Sequence, residues 1–173
     1  MVIWLIGMSG SGKTTLGREV AKKSRKFASN TVLLDGDEVR EIFTHDHGEA
    51  PYTIEGRRIN AERLTALCEM LDRQGIHVVC CILSIFPEMR AGNRERFSDY
   101  FEVFMDAPLE VLEARDVKGL YAAARRGQVS NVVGIDIPFA RPDRADMVID
   151  SSGSLEMPDE LATQVLKAAG LLK

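Results

Sequence analysis

Apolar residues fall in short dense runs along this chain, separated by longer stretches where they recur every three or four positions. The dense runs are Val2–Ile6, Val32–Leu34, Ile76–Leu83, Phe101–Met105 and Met147–Ile149, and their length and β-branched content predict strands. The helical spacing covers Lys13–Lys23, Ile54–Gln74, Pro87–Phe97, Leu109–Arg115 and Pro158–Ala169. Gly75 suits the stop of the long helix, and Pro87 suits the first turn of the next one. Strand and helix alternate, which predicts an α/β fold with a parallel sheet covered on both faces. The run IHVVCCIL at 76–83 is almost wholly apolar, as a central strand buried on both sides requires.

Two segments break this rhythm. Thr44–Thr53 is a polar loop leading into the long helix. Asp116–Pro142 contains several glycines and two prolines and has poor periodicity, and a connection this long inside a compact domain is functional or disordered. From Arg115 to Arg144 there are six Lys/Arg against three Asp/Glu, a local positive excess in a chain whose net charge is −4. A solvated surface loop would fit; we read about 116–142 as a lid insert that closes over polyphosphate.

With 173 residues the chain is long enough for one domain, 1–173, burying roughly 70% of the surface of its unfolded form. The net negative charge argues against a nucleic-acid polymer as partner and leaves room for a small charged metabolite. Cys68, Cys80 and Cys81 form no CxxC pair and read as buried free thiols, which fits a reduced, cytoplasmic setting. Met1 runs straight into the first strand, with no space for a signal peptide, and no apolar stretch approaches membrane-spanning length.

The candidate chemistry begins behind the first strand. Gly7-Met8-Ser9-Gly10-Ser11-Gly12-Lys13-Thr14 fits G-x-x-x-x-G-K-[ST], followed by Thr15. Glycines allow the backbone to curl so that its N–H groups point at phosphate oxygens, and the helix that starts there adds its positive end. Lys13 would reach the β- and γ-phosphates, and the Thr14 hydroxyl would hold Mg²⁺. These features predict a nucleoside triphosphate as donor. No N-K-x-D guanine motif appears, and the central strand ends at Ser84 and not at an acidic residue, which favours a small-molecule kinase over a switch or motor ATPase.

Leu33-Leu34-Asp35-Gly36-Asp37 places two carboxylates at the end of the second strand, where ligands of open α/β sheets gather. Residues i and i+2 on an extended segment point the same way. We read Asp37 as the group that receives the acceptor's proton and Asp35 as the one that orders the metal, although either would also serve as a helix cap. In the long helix, Arg57, Asn60, Leu64, Leu67 and Leu71 lie on one stripe that is polar at its start and apolar at its end. Arg57 and Asn60, with Arg63 nearby, would face a wet pocket and bind an anionic substrate, because burial without partners would be costly.

Taken together, these residues resemble the adenylyl-sulfate kinase family from Val2 to about Ser151. The most specific part is FEVFMDAPLEVLEARDVKGLYAAARRGQVSNVVGIDIP at 101–138, especially Arg115–Tyr121 and Gly134-Ile135-Asp136. LLDGDEVR at 33–40 matches the family's acidic loop, with Glu38 where asparagine is usual. The resemblance implies a three-layer P-loop kinase fold and MgATP-dependent phosphorylation of the 3′-hydroxyl of adenosine 5′-phosphosulfate. It implies that Gly7–Thr15 and Arg115 bind ATP, and that Asp35, Asp37 and Arg40 stand at the metal and acceptor. Arg57, Asn60, Ile85, Phe86, Gly119, Leu120 and Phe139 would line the nucleotide acceptor, Lys118 would descend with the lid, and Ser84 would hydrogen-bond the acceptor or carry a phosphoryl group. Relatives are often dimers, so a homodimer is implied.

Three departures bear on the acceptor base. Ser84-Ile85-Phe86-Pro87 replaces Ser-Pro-Tyr-Arg, Val132-Val133 replaces an aromatic position before Gly134, and His47-Gly48-Glu49 replaces Leu-Gly-Phe. The family is thought to stack adenine between the two lost aromatics, a contact worth roughly 1–3 kcal/mol per base. Tyr52 and Phe139 are the residues that would take over. A related bacterial group phosphorylates cytidine diphosphoramidate for surface-polysaccharide synthesis and resembles this chain at Ile82–Phe86. Adenylyl sulfate is the first choice, cytidine diphosphoramidate the alternative, and a non-catalytic nucleotide-binding homologue the remote one.

Overall fold

Every position of β1 (Val2–Ile6) is buried, because both of its faces are covered by helices. The computed structural model describes residues 1–43, 51–116, 118–153 and 157–172. Five strands, β1, β2 (Thr31–Asp35), β3 (His77–Ile82), β4 (Tyr100–Asp106) and β5 (Met147–Asp150), form one sheet in the order β2-β3-β1-β4-β5. All four pairings are parallel. The predicted strands are all present, within two residues at either end.

Strand periodicity sorts the core into two layers. Val2, Trp4 and Ile6 join Val78, Cys80, Ile82 and Phe104 beneath α2 (Gly36–Phe43), α3 (Ile54–Asp72) and α4 (Pro87–Arg96). Ile3 and Leu5 join Val79, Cys81, Val103 and Met105 beneath α1 (Lys13–Ser24) and the last helix, α7 (Pro158–Ala168). Helix α1 ends in Lys22 and Lys23, which suit the negative end of its dipole. Helix α3 starts at Thr53, whose side chain accepts a hydrogen bond from the Gly56 amide at 3.1 Å.

Gly17 is where α1 comes closest to the sheet. A Cβ there would lie 2.2 Å from the Cys81 sulfur. Gly17→Ala should therefore destabilise the protein by about 1–3 kcal/mol, the usual cost of overpacking a dense core. Cys81→Ala in the same chain should recover most of that loss in a denaturant melt. Equal losses with and without Cys81 would show that the clash lies elsewhere.

Two helices escaped the sequence pattern. One is α2, directly behind the acidic pair, and the other is α6 (Leu120–Arg125), inside the predicted lid. Both are too short, at eight and six residues, for an apolar period to show. Helix α5 (Leu109–Arg115) precedes the lid as predicted. Residues of 118–142 share a small core with α5 and the glycine loop, in which Ala107, Leu112, Tyr121 and Val132 are buried and Met8, Leu109, Leu120 and Ile135 pack around them. The long-helix stripe is rotated from its predicted line. Asn60 and Leu64 of that line are buried, together with Ala61, Thr65, Cys68 and Asp72, while Leu67 and Leu71 lie at the flank, because α3 covers the sheet with a broad face and not with a single ridge. The expectation for His47-Gly48-Glu49 lies outside the described residues.

Candidate active site

The carboxyl ends of β1, β2 and β3 form one edge, where Ile6 pairs with Ile82 and Asp35 with Cys81. The glycine loop, the acidic pair and Ser84 therefore start from neighbouring strand ends, as the switch-point rule for open sheets predicts.

The loop between β1 and α1 is curled through Gly7 (φ 153°), Gly10 (φ 80°) and Gly12 (φ 90°). At Gly7 a Cβ would meet the Met105 carbonyl oxygen at 2.6 Å, so no other residue fits. Ser11 is buried, and its hydroxyl has no partner among the described residues. Lys13 Nζ donates to the Met8 carbonyl at 2.8 Å and thus lies across the loop. Burial lowers the Lys13 pKa to about 8, while the Asp35 and Asp37 carboxylates pull it back upward. Thr15 is exposed on the first turn of α1.

Thr14 and Asp35 form the second part. The Thr14 hydroxyl donates to Asp35 Oδ2 at 2.6 Å, and the Asp37 amide donates to Asp35 Oδ1 at 2.9 Å, so the buried Asp35 carboxylate is held on both oxygens. Among the described residues no three His, Cys, Asp or Glu side chains gather. Thr14 and Asp35 thus offer two hard oxygens. Mg²⁺ favours this kind of site, because it retains water and takes phosphate oxygens for its remaining positions.

Asp37 stands one step outward. It accepts from Arg40 Nη1 at 2.6 Å and from Lys118 Nζ at 3.1 Å, so a cation from the segment predicted as a lid reaches the acidic pair. Burial alone would raise its pKa, but the hydrogen bonds from Arg40 and Lys118 outweigh that and hold it below the ordinary carboxylate value.

Arg40, which pairs with Asp37, also lines an open pocket together with Arg57, Asn60, Ala61 and Ile82–Phe86. Two polar atoms in its wall, Arg40 Nε and Asn60 Oδ1, are buried without partners among the described residues. Asn60 Nδ2 is engaged, donating to the Gly36 carbonyl at 3.0 Å. Arg57 donates to the carbonyls of Tyr52 (2.9 Å) and Asn131 (2.8 Å), the latter in the lid. Burial, followed by repulsion from Arg40, lowers its pKa. Ser84 forms the back of the pocket in a left-handed conformation (φ 53°), a strain of about 1–3 kcal/mol for a residue with a side chain. Phe86 forms its far wall under the Arg58 guanidinium, 4.2 Å from the ring centre.

Several predicted residues do other things. Phe139 is not in the pocket lining; it stacks on Phe104 with ring centres 6.0 Å apart. Tyr52 is half-exposed beneath Arg40 and Arg57. Gly119 caps α6 with φ 64°, and Leu120 packs into the lid core. Arg63 lies over the Phe43 ring at 4.6 Å. Arg115 donates to the carbonyls of Ser152 (2.8 Å) and Gly153, beyond β5.

Tyr121 was not singled out as a site residue. It is buried, its hydroxyl donates to the Ser9 carbonyl at 2.9 Å, and burial raises its pKa to about 12. Gly134 (φ 97°) leaves room for Met8, whose sulfur would be 3.2 Å from a Cβ there. The segment predicted as a lid therefore lies directly against the glycine loop. No apolar period in the sequence pointed to this, because Tyr121 acts through one hydroxyl.

Comparison with known proteins agrees with this geometry. The family model described as adenylylsulphate kinase matches residues 1–150. A cytidine diphosphoramidate kinase of Campylobacter jejuni subsp. jejuni is 36% identical, over 97% of this chain and 96% of its own. An adenylyl-sulfate kinase of Halothermothrix orenii is 36% identical over 96% of this chain and 88% of its own. Among solved structures, the Mycobacterium tuberculosis APS kinase in complex with AMPPNP and APS superposes with a TM-score of 0.83 at 35% identity, covering 98% of this chain and 96% of that one. A curled glycine loop, a paired aspartate edge and a family match over residues 1–150 lead to one conclusion: the chain belongs to the adenylylsulphate kinase family.

Proposed function

We propose that this protein transfers the γ-phosphoryl group of ATP to the ribose 3′-hydroxyl of an activated nucleotide, with adenylyl sulfate as the first choice. The observation that carries this reading is the pair of buried polar atoms without partners among the described residues, Arg40 Nε and Asn60 Oδ1, in a pocket wall shared with Arg57 and linked to Asp37 through Arg40. Buried polar atoms are normally satisfied, so a donor and an acceptor left open in one wall call for a ligand. Two guanidiniums in that wall favour an anionic one.

The reaction needs little from the protein beyond placement and charge. The glycine loop and Lys13 would bind the triphosphate, and Thr14 and Asp35 would hold Mg²⁺, which supplies charge neutralisation at the phosphates. Asp37 would accept a hydrogen bond from the ribose hydroxyl and receive its proton. The bond from that oxygen to the γ-phosphorus forms as the bond to the β-phosphate oxygen breaks, and ADP leaves. Lys118, on the lid, would exchange its contact with Asp37 for one with phosphate. Arg57→Ala should raise the acceptor KM about tenfold while ATP KM stays within twofold, since a guanidinium bound to an anion is lost only from the acceptor side. Equal rises for both substrates would place Arg57 elsewhere.

One observation favours the second reading, a cytidine diphosphoramidate acceptor. Val132, at the position of a lost aromatic, is buried in the lid core and offers no ring for stacking on a purine. The experiment is a single panel: ATP with adenylyl sulfate, cytidine diphosphoramidate and plain nucleotides, scored for ADP release and phosphorylated product. Turnover of adenylyl sulfate alone supports the first choice, and turnover of the cytidine compound alone supports the second. Turnover of none would return the protein to the non-catalytic class.

A further inference from the structure

Arg90, on α4, lies outside the pocket and yet is buried, with 6% exposure. Among the described residues it forms no ion pair with a carboxylate. Its guanidinium instead faces carbonyl oxygens: Nη1 donates to Ser84 at 2.8 Å and Nη2 to Ala140 at 3.4 Å. The Glu88 carboxylate feels its charge but makes no ion pair with it, and an arginine buried without a paired carboxylate is costly where an apolar side chain of similar length would fill the same space. The hydrogen bonds to the two carbonyls are what its guanidinium adds to that space.

Those carbonyls belong to different parts of the site. Ser84 is the left-handed turn from which Ile85 and Phe86 continue the pocket wall, and the position of its carbonyl sets the tilt of the next peptide. Ala140 lies in the segment that returns from the lid. Its neighbours anchor this foot to β4: Phe139 stacks on Phe104, and Arg141 pairs with Asp106 at 2.5 Å. The other end of the lid is tied elsewhere, through Arg115 to the Ser152 and Gly153 carbonyls and through Tyr121 to the phosphate loop.

We propose that Arg90 is a positioning residue that fastens the acceptor wall at Ser84 to the C-terminal foot of the lid, so that acceptor affinity depends on how the lid is seated while ATP affinity does not. The inference rests on the kinase reading above. It assigns the two feet of the lid different duties. The foot at Arg115 and Tyr121 belongs with the donor nucleotide, and the foot at Ala140 belongs with the acceptor.

The test uses the full chain and whichever nucleotide the wild-type protein phosphorylates in the panel. Arg90→Met should raise acceptor KM about tenfold, the order expected when hydrogen bonds from a charged group are lost. Arg90→Lys, which keeps the charge and one donor, should raise it about threefold, and ATP KM should stay within twofold in both. Phe139→Ala, which loosens the foot from β4, should add less than its full effect to acceptor KM once Arg90 is already replaced by methionine. Melting temperature is read alongside, because a merely structural arginine would lower it without separating the two KM values. An unchanged acceptor KM in a folded variant, an equal rise in ATP KM, or failure of both Arg90 variants to fold would each overturn the proposal. Wild-type protein that phosphorylates nothing in the panel would instead overturn the kinase reading on which it rests.

Discussion

Lys13→Ala should lower kcat by about a thousandfold, the largest single loss expected in this protein, because it deletes a positioned charge at the phosphate that is transferred. The ammonium lies across its own loop, bonded to the Met8 carbonyl. Burial has lowered its pKa to about 8, so much of its hydration has already been given up before any phosphate arrives. This predicts a pH signature. kcat/KM for ATP, which reports the free enzyme, should fall as pH rises through about 8, because the neutral amine cannot pair with phosphate. A bound triphosphate raises the pKa again, so kcat should hold to a higher pH.

Stability carries the same signature with a defined sign. The folded pKa, about 8, lies below the ordinary 10.5, so between these values the unfolded chain binds more protons than the folded one. Stability of the free protein should therefore rise with pH across that window. Lys13→Ala should lack this contribution, and a triphosphate should suppress it. Wild-type turnover in Lys13→Ala, or an ATP pH profile that is flat from about 7 to about 10, would remove Lys13 from the role given to it.

The second large effect is expected for Asp37→Asn, which should lower kcat by about a hundred- to ten-thousandfold while ATP KM stays within twofold. The charge matters here more than the shape. The carboxamide of the variant could still sit in the same place, but it would no longer balance Arg40 and Lys118, both of which donate to Asp37 now. Their hydrogen bonds hold the carboxyl below its usual pKa against the opposing effect of burial. Asp37 is thus ionised throughout the neutral range and is a weak base at rest. In the proposed reaction its part would be to orient the hydroxyl and to receive the proton late, once bonding to phosphorus has made that oxygen acidic. The acid limb of kcat/KM should accordingly lie below the usual carboxylate range. An acid limb near neutrality, or full activity in Asp37→Asn, would contradict this account.

Much of the site was legible because its chemistry is local. The glycine loop from Gly7 to Thr14 needs only backbone freedom and a following helix, both written in adjacent residues. Asp35 and Asp37 were legible for a similar reason, since they end an apolar run and strand ends are where open sheets bind ligands. Asn60 and Arg57 showed up as polar residues on a helix face that continues as apolar. The fold class followed from the alternation of dense and spaced apolar runs.

Other features depended on partners distant in the chain. Phe139 was a candidate to replace a lost aromatic, but Phe104 lies close to it across the fold and takes it as a stacking partner. Val132 marked a missing ring, and only its burial in the lid core showed that the position faces inward. Tyr121 donates one hydrogen bond to the Ser9 carbonyl and Arg90 donates two, to those of Ser84 and Ala140, and such contacts leave no periodic trace. Helices α2 and α6 are too short for their apolar spacing to stand out.

The sequence by itself determined the parallel sheet, the phosphate-binding loop and the acidic strand end, because each is encoded within a dozen neighbouring residues by periodicity, glycine placement or charge. Tertiary structure alone decided which cations meet Asp37, which polar atoms are left open in the pocket wall, and which contacts hold the 118–142 segment against the rest of the fold. The physical reason is range. Backbone preferences act between near neighbours, whereas a hydrogen bond or an ion pair forms wherever folding brings two groups within about 3 Å, however far apart they are in the chain.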